Sequence, residues 1–325
     1  MKIAILDDYQ DCVRSLDCFR LLDGHEVKVF QHGARGIGQL ALRLAPFEAL
    51  VLIRERTSIN RALLQKLPNL KLISQTGRLA NHIDLDAAAE FGICVTEGVG
   101  DARAPAELTF ALIMAARRRL LPYAALLKQG VWQASSLQPE HNQLGQVLFG
   151  QTLGIWGFGK IGRMVAGYGA AFGMQILVWG SETSRAAAVQ AGYQAAASRT
   201  DFFAQSDVLT LHLRLNDATR GIVQAHDLAL MKSTALLVNT SRAELIAPGA
   251  LAAGLRAGHP GFAALDVFEQ EPLAADDPLL QWENVLATPH LGYVEKHSYE
   301  KYFCAAFQNV LDFAAGKVVP PARQA

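Results

Sequence analysis

Three features of this chain predict an α/β protein of two domains, each built on a parallel sheet. Short apolar and β-branched runs alternate with helical patterns from end to end, the order expected when helices cover parallel strands. The run TLGIW (152–156) leads straight into Gly157-Phe158-Gly159-Lys160-Ile161-Gly162 and then a helical segment. The reactive side chains of the second half also follow apolar runs: Arg242 after ALLVNT, Glu271 shortly after FAALDV, and His290 after NVLATP. Ligands of open parallel sheets bind beyond the carboxyl ends of the strands, so these groups are expected to share one crevice.

In the first third, strands are predicted at 2–6, 26–30, 49–53, 71–75 and around 94–97. One long helix is predicted from Ala104 to Lys128, with Pro105 in its first turn, where a missing N–H costs little. Leu108, Ala111, Leu112 and Ala115 keep the helical period, while Phe110, Ile113 and Met114 make the segment apolar nearly all round. Such a helix is buried, between domains or against a second subunit. Arg117-Arg118-Arg119 reads as its solvated end.

The second half carries strands at 152–156, 175–179, 208–213, 235–240, 262–267 and 284–289, almost continuously apolar, as helices on both faces require. A helix over 295–315 and a polar, Pro-containing tail close the chain. The domains expected, both Rossmann-like or flavodoxin-like, are a dinucleotide-binding Rossmann domain over 101–290 and a substrate domain formed by 1–100 with 291–325. A cleft between them would close about hinges near 100 and 290.

Composition narrows the function. Thirty basic and thirty acidic residues cancel, so nothing points to nucleic acid or an anionic membrane. No apolar run reaches the ~18 residues of a membrane helix. The start, MKIAILDDY, has too short an apolar stretch for a signal peptide. Cys12, Cys18, Cys94 and Cys304 lack CxxC spacing, so neither a metal site nor a disulfide framework is expected. A reduced, cytoplasmic protein is the expectation.

The G-x-G-x-x-G string gains its meaning from the strand before it and the helix after it. Gly157 suits a tight turn, Gly159 a close approach to pyrophosphate, and Gly162 tight helix–strand packing. The helix N-terminus would receive the phosphates. An acidic residue for the adenosine ribose is expected at the end of the next strand, but Gly180 stands there, followed by Ser181, Glu182, Thr183, Ser184 and Arg185. Glu182 would favour NAD; Ser181, Ser184 and Arg185 would favour NADP. The choice stays open, with NAD slightly ahead. His212, at a strand end, is expected to shape the nicotinamide side of the site. His25, His32, His141, His226, His259 and His297 have no motif context.

The strings LGIWGFGKIG, VNTSRAELI, DVFEQEP (266–272) and ATPHLGY resemble, in order, those of the D-isomer-specific 2-hydroxyacid dehydrogenases. TGRLANHIDLDAAAEFGICV (76–95) is similar to the family's substrate loop, and HLRLNDATRGIV (212–223) to the loop before its arginine strand. The resemblance implies hydride transfer between NAD(P)H and a small 2-oxo acid. Arg242 would bind the carboxylate, which suits a planar guanidinium. His290 would exchange the proton, with Glu271 orienting its ring. Asp266 would meet the nicotinamide carboxamide. Arg78, Leu79 and Ala80 would present backbone N–H groups to the substrate, with Arg54 facing the same crevice. A homodimer is also implied.

Three positions depart from the family pattern: Ala243 replaces a glycine, Arg214 a proline, and Gly180 the ribose-binding acid. Glyoxylate, hydroxypyruvate and 3-phosphoglycerate are the candidate acids. The rival reading is a non-catalytic, NAD(H)-responsive protein of corepressor type, because fold alone does not fix function.

Overall fold

The computed structural model describes residues 1–34 and 36–317; the Pro-containing tail, 318–325, lies outside the described residues. The chain forms two compact units, Met1–Asp101 with the segment from Val294 onward, and Ala102–Tyr293.

The first unit holds β1 (Lys2–Ile5), β2 (Glu26–Val29), β3 (Ala49–Ile53), β4 (Leu72–Thr76) and β5 (Cys94–Thr96). They form one sheet in the order β2-β1-β3-β4-β5, every pair parallel. That is the flavodoxin-like order. Leu50, Leu52 and Ile73 build the core on one face with Leu63 and Ala87 of the covering helices. The helix Lys296–Ala314 covers β4, burying Tyr299, Phe303 and Phe307, and the Ser74 hydroxyl donates to the Ala306 carbonyl at 2.9 Å. Its start is capped by the Glu295 carboxylate, which accepts from the His297 and Ser298 N–H groups.

The second unit holds β6 (Thr152–Trp156), β7 (Gln175–Trp179), β8 (Gln194–Ala195), β9 (Val208–Leu211), β10 (Leu236–Asn239), β11 (Phe262–Leu265) and β12 (Val285–Ala287). Their order is β12-β11-β10-β9-β6-β7-β8, again parallel throughout. The strand order reverses between β6 and β9, the point where this architecture binds ligands. Alternation along each strand feeds two cores. Leu153, Ile155 and Val178 meet Phe110 and Ile113, whereas Trp156, Leu177 and Leu237 meet Phe202 and Phe203. The two-residue β8 has no counterpart among the strands expected from sequence.

The helix expected over 104–128 is two helices, Arg103–Arg117 and Leu120–Leu127, separated by Arg119 in the left-handed region at φ 50°. Pro122 is the reason. Within a continuous helix it could not donate to the carbonyl of residue 118, and its ring would strike it. The arginine run is not a solvated end either. Arg117 and Arg119 are buried, and Arg117 donates to the Thr234 carbonyl at 2.8 Å, to the Asp207 carbonyl and to Gln146. A guanidinium can be buried where carbonyls receive its N–H groups.

Candidate active site

After β6 the chain turns at Gly157, whose φ of 99° favours glycine, and enters the helix Lys160–Ala171. A Cβ on Gly157 would stand 2.6 Å from the His212 carbonyl oxygen, and one on Gly162 only 2.1 Å from the Gly157 carbonyl oxygen. Neither position admits a side chain without moving backbone. Gly159 is different: a Cβ there would meet nothing within 4 Å. No side chain caps this helix. Its first N–H groups, from Lys160 and Ile161 onward, therefore face that open space with the positive end of the helix dipole. Phe158 anchors the loop instead of lining it, buried edge-on against Tyr193 with the Arg163 guanidinium over its ring.

Across the switch point, His212 follows β9. Its Nε2 lies 3.1 Å from the Thr210 hydroxyl, while Nδ1 is buried with no hydrogen-bond partner among the described residues. Burial pushes the imidazole down to about 4, so the ring is neutral at physiological pH. An orphaned nitrogen beside an open glycine cradle and an uncapped helix end fits a bound dinucleotide.

At the end of β7, the Ser181 hydroxyl caps the helix Glu182–Gln190 by accepting from the Ser184 N–H at 3.2 Å. Glu182 is exposed in the first turn, and the Arg185 guanidinium lies over the Trp179 ring at 5.0 Å.

The acid–base group is assembled from the ends of β10, β11 and β12. Arg242 follows β10, with the Asn239 amide donating to its carbonyl and its own Nη1 donating to the Ser241 carbonyl at 2.7 Å. Glu271 and His290 meet at 2.6 Å between Oε2 and Nδ1, and the other Glu271 oxygen accepts from the Phe268 N–H at 3.0 Å. Burial pushes the Glu271 carboxyl up, but the His290 hydrogen bond and charge, the Phe268 N–H and Arg242 outweigh it. The carboxyl is therefore held below the usual range. With Nδ1 taken, Nε2 is the ring atom open to a substrate.

His290 itself sits at φ 53°, an uncommon conformation for a side-chain-bearing residue. Asp266, fully buried, pins that turn: its oxygens accept from the Thr288 hydroxyl, the Leu291 N–H and the Gly292 N–H at 2.7, 2.7 and 2.8 Å. Burial raises the Asp266 carboxyl, against these hydrogen bonds, which lower it. Asn239 and Thr288 were not singled out in the sequence, although both stand inside the strings that carry Arg242 and His290.

In the first unit, Arg54 follows β3 at φ 53°, and its guanidinium crosses Gly77 so closely that a Cβ there would lie 2.2 Å from Nη1. It also pairs with Glu55 at 4.0 Å. Arg78 and Ala80 are exposed, and among the described residues their N–H groups make no hydrogen bond. Leu79 departs from expectation. Its N–H donates to the Glu97 carboxylate at 2.8 Å, because Glu97 follows the adjacent strand β5 and reaches the same loop.

Comparison with known proteins matches this arrangement to one family. The model of the D-isomer specific 2-hydroxyacid dehydrogenase NAD-binding domain matches residues 110–292. A glyoxylate reductase of Aeropyrum pernix is 38% identical over 260 residues, covering 79% of this chain and 77% of that protein. This chain belongs to the D-isomer-specific 2-hydroxyacid dehydrogenases.

A D-3-phosphoglycerate dehydrogenase of Methanocaldococcus jannaschii is 36% identical over 75% of this chain, but over only 45% of its own length. A solved structure of a putative D-3-phosphoglycerate dehydrogenase from Ralstonia solanacearum superposes with a TM-score of 0.96 at 56% identity, covering 99% of this chain and 96% of that one. As a member of this family, the protein is an NAD-dependent oxidoreductase acting on the CH–OH group of small 2-hydroxy acids. Nothing favours the non-catalytic, corepressor-like alternative.

Proposed function

We propose that this enzyme reduces a short 2-oxo acid of the glyoxylate or hydroxypyruvate kind to the D-2-hydroxy acid, reversibly, with NADH preferred over NADPH. The observation that carries the reading is the 2.6 Å Glu271–His290 bond, which fixes one ring nitrogen and leaves the other for a substrate. Arg242, close enough to lower the Glu271 carboxyl, holds the acid's carboxylate and polarises the adjoining carbonyl. His290 Nε2 gives its proton to the carbonyl oxygen as that oxygen gains charge, and takes it back in the oxidative direction. Glu271 keeps a proton on Nδ1 and orients the ring.

When bound, the nicotinamide cofactor supplies the hydride. The glycine cradle 157–162 and the Lys160 helix end would hold its pyrophosphate, and His212 Nδ1 would find a partner there. Asp266 Oδ2, which accepts one bond among the described residues, retains capacity for the carboxamide. The Ser181 hydroxyl, engaged as a helix cap, and the exposed Glu182 support NADH.

Arg54, Arg78, Leu79 and Ala80 are proposed to contribute to substrate choice. A phosphorylated acid is the second reading, favoured by the two arginines and by the Ralstonia solanacearum relative. Exposed Leu120, Leu121, Leu127, Trp132 and Leu144 support a homodimer. Four unpaired cysteines support a reducing, cytoplasmic setting.

Initial rates with NADH and NADPH against glyoxylate, hydroxypyruvate, pyruvate, 2-oxoglutarate and phosphohydroxypyruvate test the reading. Highest kcat/KM for NADH with glyoxylate or hydroxypyruvate is expected. Preference for phosphohydroxypyruvate would replace the first substrate class with the second. Absence of turnover with every pair, despite cofactor binding, would remove both.

A further inference from the structure

The second unit has a cavity of about 460 Å³ away from the dinucleotide loop, lined by Arg119, His141, Gln143, Trp282, Glu283 and Asn284 among others. Phe262, another lining residue, begins β11, whereas Asp266 follows its far end. At ~3.3 Å per residue the two ends are about 13 Å apart. The cavity therefore opens at the amino ends of the strands, and the acid–base group at their carboxyl ends.

Arg119 is the unusual wall. It is only 8% exposed, and its Nε is buried with no hydrogen-bond partner among the described residues. The guanidinium's one hydrogen bond among the described residues is long, 3.4 Å from Nη1 to the Gln143 Oε1. Arg117, two residues earlier, also has a buried Nε without a partner among the described residues, but its two terminal nitrogens donate to two backbone carbonyls and an amide oxygen. Among the described residues no carboxylate lies within 4 Å of Arg119. The nearest acidic wall, Glu283, is engaged elsewhere, at 3.3 Å from His141 Nδ1 and 3.2 Å from the Ser136 hydroxyl. A buried cation without a counter-charge is costly, and a guanidinium cannot relieve that cost by losing its proton.

We propose that this cavity is a second binding site, for a small oxyanion held by Arg119. A carboxylate or a phosphate oxygen would supply the missing charge, and the Gln143 amide and the His141 ring offer neighbouring polar contacts. A carboxylate carried by a second copy of the chain is the competing occupant, which the test separates.

The test is isothermal titration of the full-length protein, saturated with NAD, using inorganic phosphate and malonate as separate probes at constant ionic strength. Saturation with NAD fills the dinucleotide loop, and Arg242→Ala removes the acid site. Saturable binding of at least one probe is expected in both the wild type and Arg242→Ala. Arg119→Met, with its melting temperature checked, should weaken that binding at least about tenfold. Glu283→Gln alters a half-exposed side chain and removes the one carboxylate on the wall, so it should tighten binding.

Undiminished binding in folded Arg119→Met overturns the proposal, as does loss of binding in Arg242→Ala. If the Arg119 variant fails to fold, unchanged or weaker binding in Glu283→Gln overturns it alone. Absence of saturable binding in the wild type, with a subunit mass by light scattering that falls in Arg119→Met, assigns the cavity to a subunit contact instead.

Discussion

His290 is held in the left-handed region at φ 53°, with its ring tied to Glu271 at one edge and packed edge-on against Tyr293 at 5.6 Å. A conformation of this kind costs ~1–3 kcal/mol and persists only where surrounding contacts enforce it. Here Asp266 does so, gripping the residues on both sides of the histidine. His290→Ala is expected to lower kcat by about 10²–10⁴-fold while leaving the NADH Kd within error; unchanged turnover would remove it from proton transfer. Glu271 is held below the usual carboxylate range in the folded chain. Its contribution to stability is thus complete above the unfolded-state pKa of about 4.3 and lost as pH falls through the lower folded value. Melting curves should show Glu271→Gln less stable than wild type near neutrality, with the gap closing below about pH 4. A gap independent of pH would show that the carboxylate charge is not what matters.

Every candidate group of the second unit lies just past a strand end, and the intervening turns set its direction. The β6 turn depends on Gly157, which combines φ 99° with a 2.6 Å approach to the His212 carbonyl. Gly157→Ala is expected to cost ~1–3 kcal/mol of stability and to weaken NADH binding measured by fluorescence titration. A variant with both properties intact would show that the turn tolerates a side chain. The split helix makes a related point. Pro122 interrupts the continuity that apolar periodicity alone suggests, and the left-handed Arg119 at the break turns inward as a cavity wall.

For the molecule as a whole, exposed apolar side chains gather in one stretch of sequence. Leu120, Leu121 and Leu127 lie on the second half of the broken helix, and Trp132, Leu144 and Phe149 between it and β6. A concentration of exposed large apolar side chains in one segment points to an interaction site. Light scattering should give twice the chain mass, and Leu144→Glu combined with Trp132→Ser should shift the protein toward the monomer. A monomeric wild type would end the homodimer reading.

The sequence by itself determined the parallel α/β class, the glycine turn and the order of Arg242, Glu271 and His290. These depend on local rules: strand and helix periods differ, and a turn of positive φ selects glycine. It also marked the strand ends, because an apolar run that stops at a polar residue shows where a sheet ends. Only the tertiary structure decided what side chains do with partners distant in the chain. It turned Asp266 toward the 288–292 turn, gave the Leu79 N–H to Glu97, left His212 Nδ1 without a partner among the described residues and buried Arg117 and Arg119. A buried arginine and a solvated one look alike in sequence. Burial depends on carbonyls, carboxylates and cavities that folding brings together from residues up to 117 positions apart.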